Sequence, residues 1–240
     1  MNRAALATAL VLGTLLTSGC ASLQNADLNS ILGGTAGGPL DESTVLAGLK
    51  EALRVGTDNA AASTSTVDGF LGNALIRIAM PEQLDKASST LRSVGLGSYV
   101  DELEVSMNRA AEQASGEARG IFWEAVTSLT ITDAMAIFNG HDTAATEYFR
   151  GRTEAQLREK FAPIVSQETA SVGLGRMYGQ LTDAYESLPL TGKPDLVDLD
   201  AYVTDRALSG LFTVLAQEEQ AIRQDPAART TALLRQVFGK

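Results

Sequence analysis

The sequence predicts an all-α protein, and three observations lead to that class. Aromatic residues make up only 5% of the chain and alanine is plentiful, which favours close-packed helices over sheets. Apolar residues recur at spacings of three and four along most of the chain. The chain lacks the alternation of predicted strand, helix and strand that would indicate a parallel sheet. We therefore expect a single-domain bundle of about eight to ten helices, in which only a short segment runs extended.

The first 19 residues have the layout of a lipoprotein signal peptide. Arg3 gives a positive start, an uncharged and mostly apolar run follows from residue 4 to residue 16, and small residues precede Cys20, the single cysteine. The run is shorter than the roughly 20 apolar residues that a membrane-spanning helix needs. A cysteine directly after small residues resembles the lipobox of bacterial lipoproteins, in which the thiol carries a diacylglycerol. We expect residues 1–19 to be cleaved and Cys20 to be acylated; the alternative is a chance cysteine after an ordinary leader.

Lipidation predicts where the protein resides. Two or more acyl chains hold a protein on a bilayer, whereas one chain binds only marginally. Ala21 follows the cysteine, where the inner-membrane retention signal resembling that of enteric bacteria would have Asp. We expect an exported protein, anchored by its lipid in the outer membrane and facing the periplasm. Residues 20–40 contain two pairs of adjacent glycines and are predicted to be a flexible tether, followed by a helical domain over residues 41–240.

Composition limits the classes of partner and of chemistry. Acidic residues number 29 against 19 basic ones, so the field of the protein repels phosphate backbones and no nucleic-acid partner is expected. One cysteine and one histidine exclude a zinc site of Cys and His ligands, a cysteine nucleophile and a thiol redox pair. We predict no cofactor and no metal. A mature chain of about 220 residues is long enough to fold by packing alone.

The N-terminal part of the domain contains the first two predicted helices. Acidic residues at 41 and 42 open the first one, and apolar residues from Val45 to Leu53 follow at helical spacing. After a polar break, a second helical stripe runs from Val67 to Ile78. Because a residue before proline disfavours the helical conformation, the sequence allows an extended segment over residues 76–80, in front of Pro81.

The next helices are placed by their capping signals. Pro81 suits the first turn of a helix that ends at Gly95 or Gly97, and its apolar positions include Val94. Ser98, with an acidic residue three positions later, resembles a capping box for the following helix.

The middle of the chain divides, by its caps, into three helices. Thr130 or Thr132 caps a helix that stops at Asn139-Gly140, a short helix covers residues 143–150, and Thr153 opens another.

The C-terminal third predicts a long helix and a final short one. Pro163 is expected to kink or restart the preceding helix, and residues 188–194 form a loop. Asp198 or Asp200 caps the long helix, and Asp225-Pro226 opens the last one.

Several sequence features suggest catalytic or binding sites but lack the full pattern. His141 could act as a general base, yet no Gly-x-Ser-x-Gly elbow supplies a serine. The glycines of residues 173–179 do not have dinucleotide-binding spacing, and no strand precedes them. The four aspartates of residues 195–205 lack the pattern of a calcium loop, so helix capping explains them better. We predict no catalytic residue.

Two clusters of polar residues remain as candidate sites. Each lies beside an apolar stripe, so its members are expected to be half buried. Three interpretations stay open: a solvated face of ion pairs, a buried network that fixes helix register, and a ligand site, with the structural ones favoured. The clusters are Asn108, Arg109 and Glu112 in one helix and Glu219, Arg223 and Arg229 near the C-terminus.

A resemblance to a known family covers the chain from about residue 41 to its end. Eight phrases, in order, are similar to the bacterial family catalogued as domain of unknown function 4197. This resemblance implies an exported helical protein, often a lipoprotein, with no established activity and no catalytic residues to carry over. The phrases are GLKEAL (48–53), GFLGN (69–73), MNRAAE (107–112), TITDAMAIFNG (130–140), AATEYFR (144–150), FAPIV (161–165), ALSGLF (207–212) and EEQAIRQDPAARTTALLRQVFG (218–239).

The sequence as a whole favours a non-enzymatic binding or scaffolding module in the periplasm. Its expected partners are the membrane, through the N-terminal lipid, and a protein or an apolar ligand. The alternatives are a hydrolase acting on envelope material and a carrier of an apolar ligand. Polar groups converging on a pocket would favour the enzyme, an exposed apolar face the binding module, and a dry cavity of several hundred Å³ the carrier.

Overall fold

The computed structural model describes residues 40–171, 173–189 and 197–239, and they belong to one unit that begins at Leu40. The predictions of a signal peptide, an acylated Cys20 and a tether concern residues outside these ranges. Within them the fold is all-α, as predicted, with nine α-helices and no strand. The helices are α1 (Glu42–Thr64), α2 (Asp85–Ser93), α3 (Gly97–Ser115), α4 (Ala118–Thr127), α5 (Ile131–Phe138), α6 (Ala144–Ser171), α7 (Leu174–Glu186), α8 (Leu199–Gln224) and α9 (Ala232–Phe238).

Helix α8 lies at the centre of the bundle, where it packs against α1, α3 and α6. Its buried Phe212 contacts Phe122 of α4, with ring centroids 5.9 Å apart, and Phe122 in turn contacts Phe149 of α6 at 6.1 Å. Tilted and edge-on aromatic pairs of this kind add to the stabilisation from burial alone. The core therefore joins helices that are distant in sequence.

Local capping signals are confirmed where a short polar side chain precedes an apolar run. Thr130 and Asp133 form a reciprocal capping box at α5, and Asp198 caps α8. Asp41 caps α1 by accepting from Thr44 N at 2.8 Å. These bonds satisfy N–H groups that the first helical turn leaves without partners.

The helix predicted over residues 67–78 is wrong. Residues 65–76 form bends and turns, in which Asp68 has a φ of 67°. Gly69 is required at the next position, because a Cβ there would collide with the carbonyl oxygen of Ser63. The apolar spacing of this stretch led to the wrong prediction of a helix. In the structure Phe70 and Ile78 are buried, while Val67 and Leu75 are exposed.

Residues 77–80 run extended, close to the range of 76–80 that the proline at position 81 suggested. From residue 76 to residue 80 the side chains alternate between the core and the surface, which is the period of a strand. No other strand pairs with the segment in the described part of the chain. The inward residues are Ile76, Ile78 and Met80, and the outward ones are Arg77 and Ala79.

Helix α6 is one continuous element, which corrects the prediction of separate helices over residues 143–150 and from Thr153. The Thr153 hydroxyl donates to the Phe149 carbonyl inside the helix and caps nothing. Pro163 also lies within α6. It faces solvent, as does residue 159, whose carbonyl loses its usual partner, so water can replace the missing bond.

Three further boundaries differ from the prediction. Helix α3 begins at Gly97 without a capping side chain, so the Ser98 box does not form. Pro81 precedes a 3-10 turn, after which α2 starts, and Val94 beyond its end is half exposed. Asp225 caps another 3-10 turn, so the last helix begins only at residue 232.

A helix that crosses a bilayer must be both long and apolar. None of the described helices is by itself long and apolar enough to do so. The bent combination of Gly97–Thr127 with Ile131–Phe138 meets the criteria of length and composition only.

Candidate functional site

The first predicted cluster, with Asp68 added, forms a network that we call the α3 clamp: Asp68, Asn108, Arg109 and Glu112. Asn108 is completely buried. Its Oδ1 accepts from Ile78 N at 2.9 Å, and its Nδ2 donates to Ile78 O at 2.8 Å and to Glu104 O at 2.7 Å. One side-chain amide thus bonds both backbone groups of Ile78, as a neighbouring strand would.

Glu112 holds the turn that precedes the extended segment. Its Oε1 accepts from Phe70 N at 3.1 Å and from Leu71 N at 3.3 Å. Its Oε2 accepts from Arg109 Nη1 at 2.6 Å, and Arg109 Nη2 donates to Asp68 Oδ1 at 2.7 Å. The bond to Glu112, followed by the bond to Asp68, raises the pKa of Arg109. The α3 clamp therefore fixes a segment that has no regular backbone bonding of its own.

The second predicted cluster forms the α8 clamp: Glu219, Arg223 and Arg229. Glu219 accepts from Ala145 N at 3.0 Å and from both Thr146 N and Thr146 Oγ1 at 2.8 Å. These N–H groups belong to the first turn of α6, where the helix dipole favours a negative charge. A residue of α8 thereby caps the start of α6.

The arginines of the α8 clamp cap helix C-termini. Arg223 donates to Glu219 Oε1 from Nε at 3.0 Å and to the carbonyl of Ile137, near the end of α5, at 2.9 Å. Arg229 donates to the carbonyls of Ile222 and Arg223 at the end of α8, at 2.9 and 2.8 Å. Cations are stabilised at helix C-termini. The α8 clamp thus joins the ends of three helices.

The polar atoms of both clamps form hydrogen bonds with the protein's own backbone and with one another. A carboxylate whose oxygens already accept two N–H groups and a guanidinium group has few lone pairs left to contact a substrate. No bond joins one clamp to the other in the described ranges. The six predicted residues thus lie in two separate networks.

His141 is an exposed residue near the start of α6. Its Nε2 lies 3.3 Å from Glu147 Oε2, and its Nδ1 lies 3.3 Å from Thr143 Oγ1. These neighbours come from the same short stretch of chain.

The predicted capping aspartates have individual partners. Asp198 caps α8, Asp200 accepts from Thr169 Oγ1 at 2.7 Å, and Asp205 pairs with Arg158. Asp195 lies outside the described residues. In the part that is described, no group of three or more His, Cys, Asp or Glu side chains is arranged to hold a metal ion.

An apolar pocket lies beside the α8 clamp, between α1, α8 and Phe238 of α9. Its volume of about 20 Å³ is close to the room that one water molecule needs. A carrier of an apolar ligand would need several hundred Å³. This pocket is therefore too small for that function in the present conformation.

A larger groove, which the sequence did not reveal, lies between α2, α3 and the extended segment. We call it the α2 groove. Its volume of about 630 Å³ falls within the range of about 300–1,000 Å³ seen for ligand sites, and the groove is shallow and largely open to solvent. Met80 and Val100 form apolar parts of its lining, and α2 contributes Ser88, Ser89 and Arg92. Backbone, apolar and hydroxyl groups thus face one open volume.

Ser88 distinguishes the α2 groove from the two clamps. The residue is only 7% exposed, and its hydroxyl has no hydrogen-bond partner. Among the described residues it is the one buried side-chain polar atom in that state. Buried polar groups are nearly always bonded, so an exception requires an explanation. No sequence signal marks this serine, which lies in a run of small polar residues from 88 to 90.

Ion pairs along the rim of the α2 groove already neutralise its arginines. Arg92 lies 2.6 Å from Asp101 Oδ1 and 3.9 Å from Glu104 Oε1. Arg77, on the extended segment, lies 3.1 Å from Glu104 Oε2. Neither guanidinium group is therefore free, and, among the described residues, the charged side chains of the groove without an ion-pair partner are those of Asp85 and Lys86, which are adjacent in sequence and opposite in sign.

Comparison with curated proteins gave no match, and comparison with solved structures gave none either. A family model described as "Protein of unknown function (DUF4197)" matches residues 39–239, nearly the whole described part of the chain. The ordered phrases that suggested the resemblance lie within this range. The chain belongs to this DUF4197 family.

Proposed function

We propose that the protein is a lipid-anchored, non-enzymatic binding module of the bacterial envelope, with the α2 groove as its ligand site. The observation that carries this proposal is the buried, unpartnered hydroxyl of Ser88 beside an open volume of about 630 Å³. A hydroxyl in this state costs free energy in the unbound protein. A ligand that bonds to it recovers that cost on binding.

The bonding of the two clamps supports a binding function over a hydrolytic one. Glu112 and Glu219, the buried carboxylates of the predicted clusters, each accept two backbone N–H groups and an arginine. Their role in holding segments together accounts for these bonds without a substrate. No specific geometry favours the alternative of a hydrolase.

The lipid anchor in this proposal is supported by the layout of the first 20 residues. We expect Cys20→Ser to abolish acylation and to release the protein from membranes into the soluble fraction. Labelled palmitate and membrane fractionation measure the two effects. Incorporation of palmitate into the mutant, or unchanged sedimentation with membranes, would refute the anchor.

Site-specific photocross-linking tests the binding site. A photoreactive benzophenone residue at Ser89 lines the α2 groove, whereas the same residue at exposed Arg158 on α6 serves as the control. On irradiation of intact cells, we expect position 89 to give discrete adducts, resolved by mass spectrometry, that position 158 does not give. Equal labelling from both positions, or none from position 89, would refute the groove as a binding site.

A further inference from the structure

We infer that the α2 groove binds an extended peptide segment of a partner protein, whose backbone pairs with Met80 as the Asn108 side chain pairs with Ile78. The inference rests on the proposed function and names the ligand of that same site. Its basis is the hydrogen bonding of the extended segment and of the groove around it.

The pairing of Ile78 shows which edge of the segment faces α3. Asn108 bonds both the N–H and the C=O of Ile78, at 2.9 and 2.8 Å. In an extended chain, residues two apart present their backbone groups to the same side. Met80 is the next residue on that edge, and it lines the α2 groove. The pairing that Asn108 provides thus stops where the groove begins.

Met80 leaves a donor and an acceptor at this point. Met80 is only 8% exposed, and neither its backbone N–H nor its backbone C=O has a hydrogen bond in the described ranges. Buried backbone groups are paired in more than about 90% of cases. By contrast, the outward Ala79 carbonyl accepts from Tyr202 Oη at 3.0 Å. The Ala79 N–H and the Arg77 C=O on the outward edge also lack a protein partner among the described residues, but these residues are exposed and water can bond them, whereas Met80 is buried.

Ser88 supplies a further bonding group across the groove. A hydroxyl can both donate and accept, and this one has no partner. Within the described part of the chain, three neutral groups thus lack a partner at the groove: the N–H and C=O of Met80 and the Ser88 hydroxyl, which lies beneath the groove surface. A peptide backbone offers alternating donors and acceptors, which is the pattern that strand addition uses.

The charges on the rim favour a peptide backbone over an anion. Arg77 and Arg92 are both paired with carboxylates. Asp85 and Lys86, also on the rim, carry opposite charges. The slightly exposed Met80 offers a small apolar surface to a side chain of the peptide, whereas Val100 is completely buried. An anionic headgroup or a phosphate would find no free guanidinium group here, and the one ammonium group of the lining, that of Lys86, follows the carboxylate of Asp85 in the sequence.

Panning of a seven-residue peptide library on phage against the full-length acylated protein in detergent micelles tests this inference. Enriched peptides are synthesised, and their affinity is measured by fluorescence polarisation. Ser88→Ala is expected to weaken binding about tenfold, because one buried hydrogen bond is lost. Ser89→Ala is the matched control, since its hydroxyl already donates to the Lys86 carbonyl at 3.1 Å, and it should change the affinity less than about twofold.

A stability measurement separates binding from folding. Ser88→Ala removes an unpartnered hydroxyl, so it is expected to raise the Tm of the free protein while it weakens the peptide complex. N-methylation of successive peptide amides should abolish binding at alternate positions, because only every second residue faces Met80. Ala79→Trp, at an exposed position that lines the groove, should also block the peptide.

The outcomes distinguish this inference from the proposed function. Absence of enriched peptides, or peptide binding that ignores both Ser88→Ala and N-methylation, overturns strand addition. Adducts from position 89 that contain a lipid or a glycan and no peptide also overturn it, yet they leave a binding module. Loss of specific adducts altogether overturns both.

Discussion

Glu112 and Glu219 make similar bonds in different surroundings. Each accepts from two successive backbone N–H groups and from an arginine on its own helix. In the α8 clamp the side chains of Glu219 and Arg223 are only 8% and 12% exposed. In the α3 clamp Arg109 is 32% exposed and its second partner, Asp68, is 60% exposed. The Glu112 side chain is itself only 4% exposed, so the two clamps differ in how readily water reaches the partners of the carboxylate and not the carboxylate itself.

The two clamps also act on different kinds of structure. The α3 clamp holds turns and an extended segment, whose freed N–H groups can reach water if the segment loosens. The α8 clamp holds the first turn of a helix that is packed into the core, so its freed N–H groups would remain buried. Since an unpaired buried group costs more than an exposed one, equivalent mutations should have unequal effects.

The largest effect is expected from Glu219→Ala. It removes the acceptor of Ala145 and Thr146 and leaves Arg223 without its carboxylate, so the free energy of unfolding should fall by about 3–5 kcal/mol. Urea unfolding followed by circular dichroism measures this change. Glu218→Ala is the control, because the adjacent carboxylate bonds only to the exposed Asn59 amide. Equal losses from both variants would show that burial of the network does not matter.

Glu112→Ala should cost less, about 2–3 kcal/mol, because water can reach part of the α3 clamp. The loss should be concentrated in the segment from Phe70 to Ile78. Hydrogen exchange would then rise at the Phe70 and Leu71 amides while α6 stays protected. A loss as large as that of Glu219→Ala, spread evenly over the helices, would remove the distinction between the clamps.

Arg109→Ala tests the exposed side of the α3 clamp. We expect a loss of about 1–2 kcal/mol, because the pair with Asp68 lies at the surface and Glu112, although it loses its arginine, keeps its two backbone N–H donors. Salt should screen that pair, so the difference between wild type and mutant should shrink in 1 M NaCl. Arg223→Ala, the equivalent change in the α8 clamp, should cost more and respond little to salt. The opposite ranking would contradict the exposure argument.

The smallest effect is expected from acid. Hydrogen bonds from Ser43 and Thr44 lower the pKa of Asp41 from 3.8 to about 2, and the bond from Thr130 lowers the pKa of Asp133. A lowered pKa stabilises the fold above the unfolded value, and this contribution is lost as the pH falls from about 4 to about 2. Asp41→Asn should therefore flatten the pH dependence of the Tm within that window. An unchanged profile would exclude the Asp41 cap as a source of acid sensitivity.

Local signals in the sequence predicted the parts of the fold that local bonds determine. Thr130 and Asp198 bond to N–H groups three residues away, so the sequence alone indicated where their helices begin. The structure of the segment after α1 could not be predicted in this way, because its apolar spacing suits a helix while side chains 30 to 42 residues later, Asn108 and Glu112, bond to its backbone. Composition predicted the fold class, whereas bonds between residues distant in sequence determine the structure of the segment that was predicted wrongly.

The candidate sites show the same division between local and distant information. Helical spacing grouped the six clamp residues by sequence, but their backbone partners could not be inferred from it. Ser88 left no trace in the sequence, because an unpartnered hydroxyl is a property of the surrounding fold. A break at Pro163 was predicted from the residue alone, and the packing of α6 against α3 and α8 overrides it.

The cap that Glu219 provides has a consequence for the order of folding. Its bonds reach back 73 and 74 residues, to Thr146 and Ala145. During synthesis the start of α6 therefore leaves the ribosome long before the carboxylate that completes it. Closing so long a loop is slow compared with forming a helical turn. The junction of α5 and α6 should thus remain open in the nascent chain, and it should become protected only after α8 has docked.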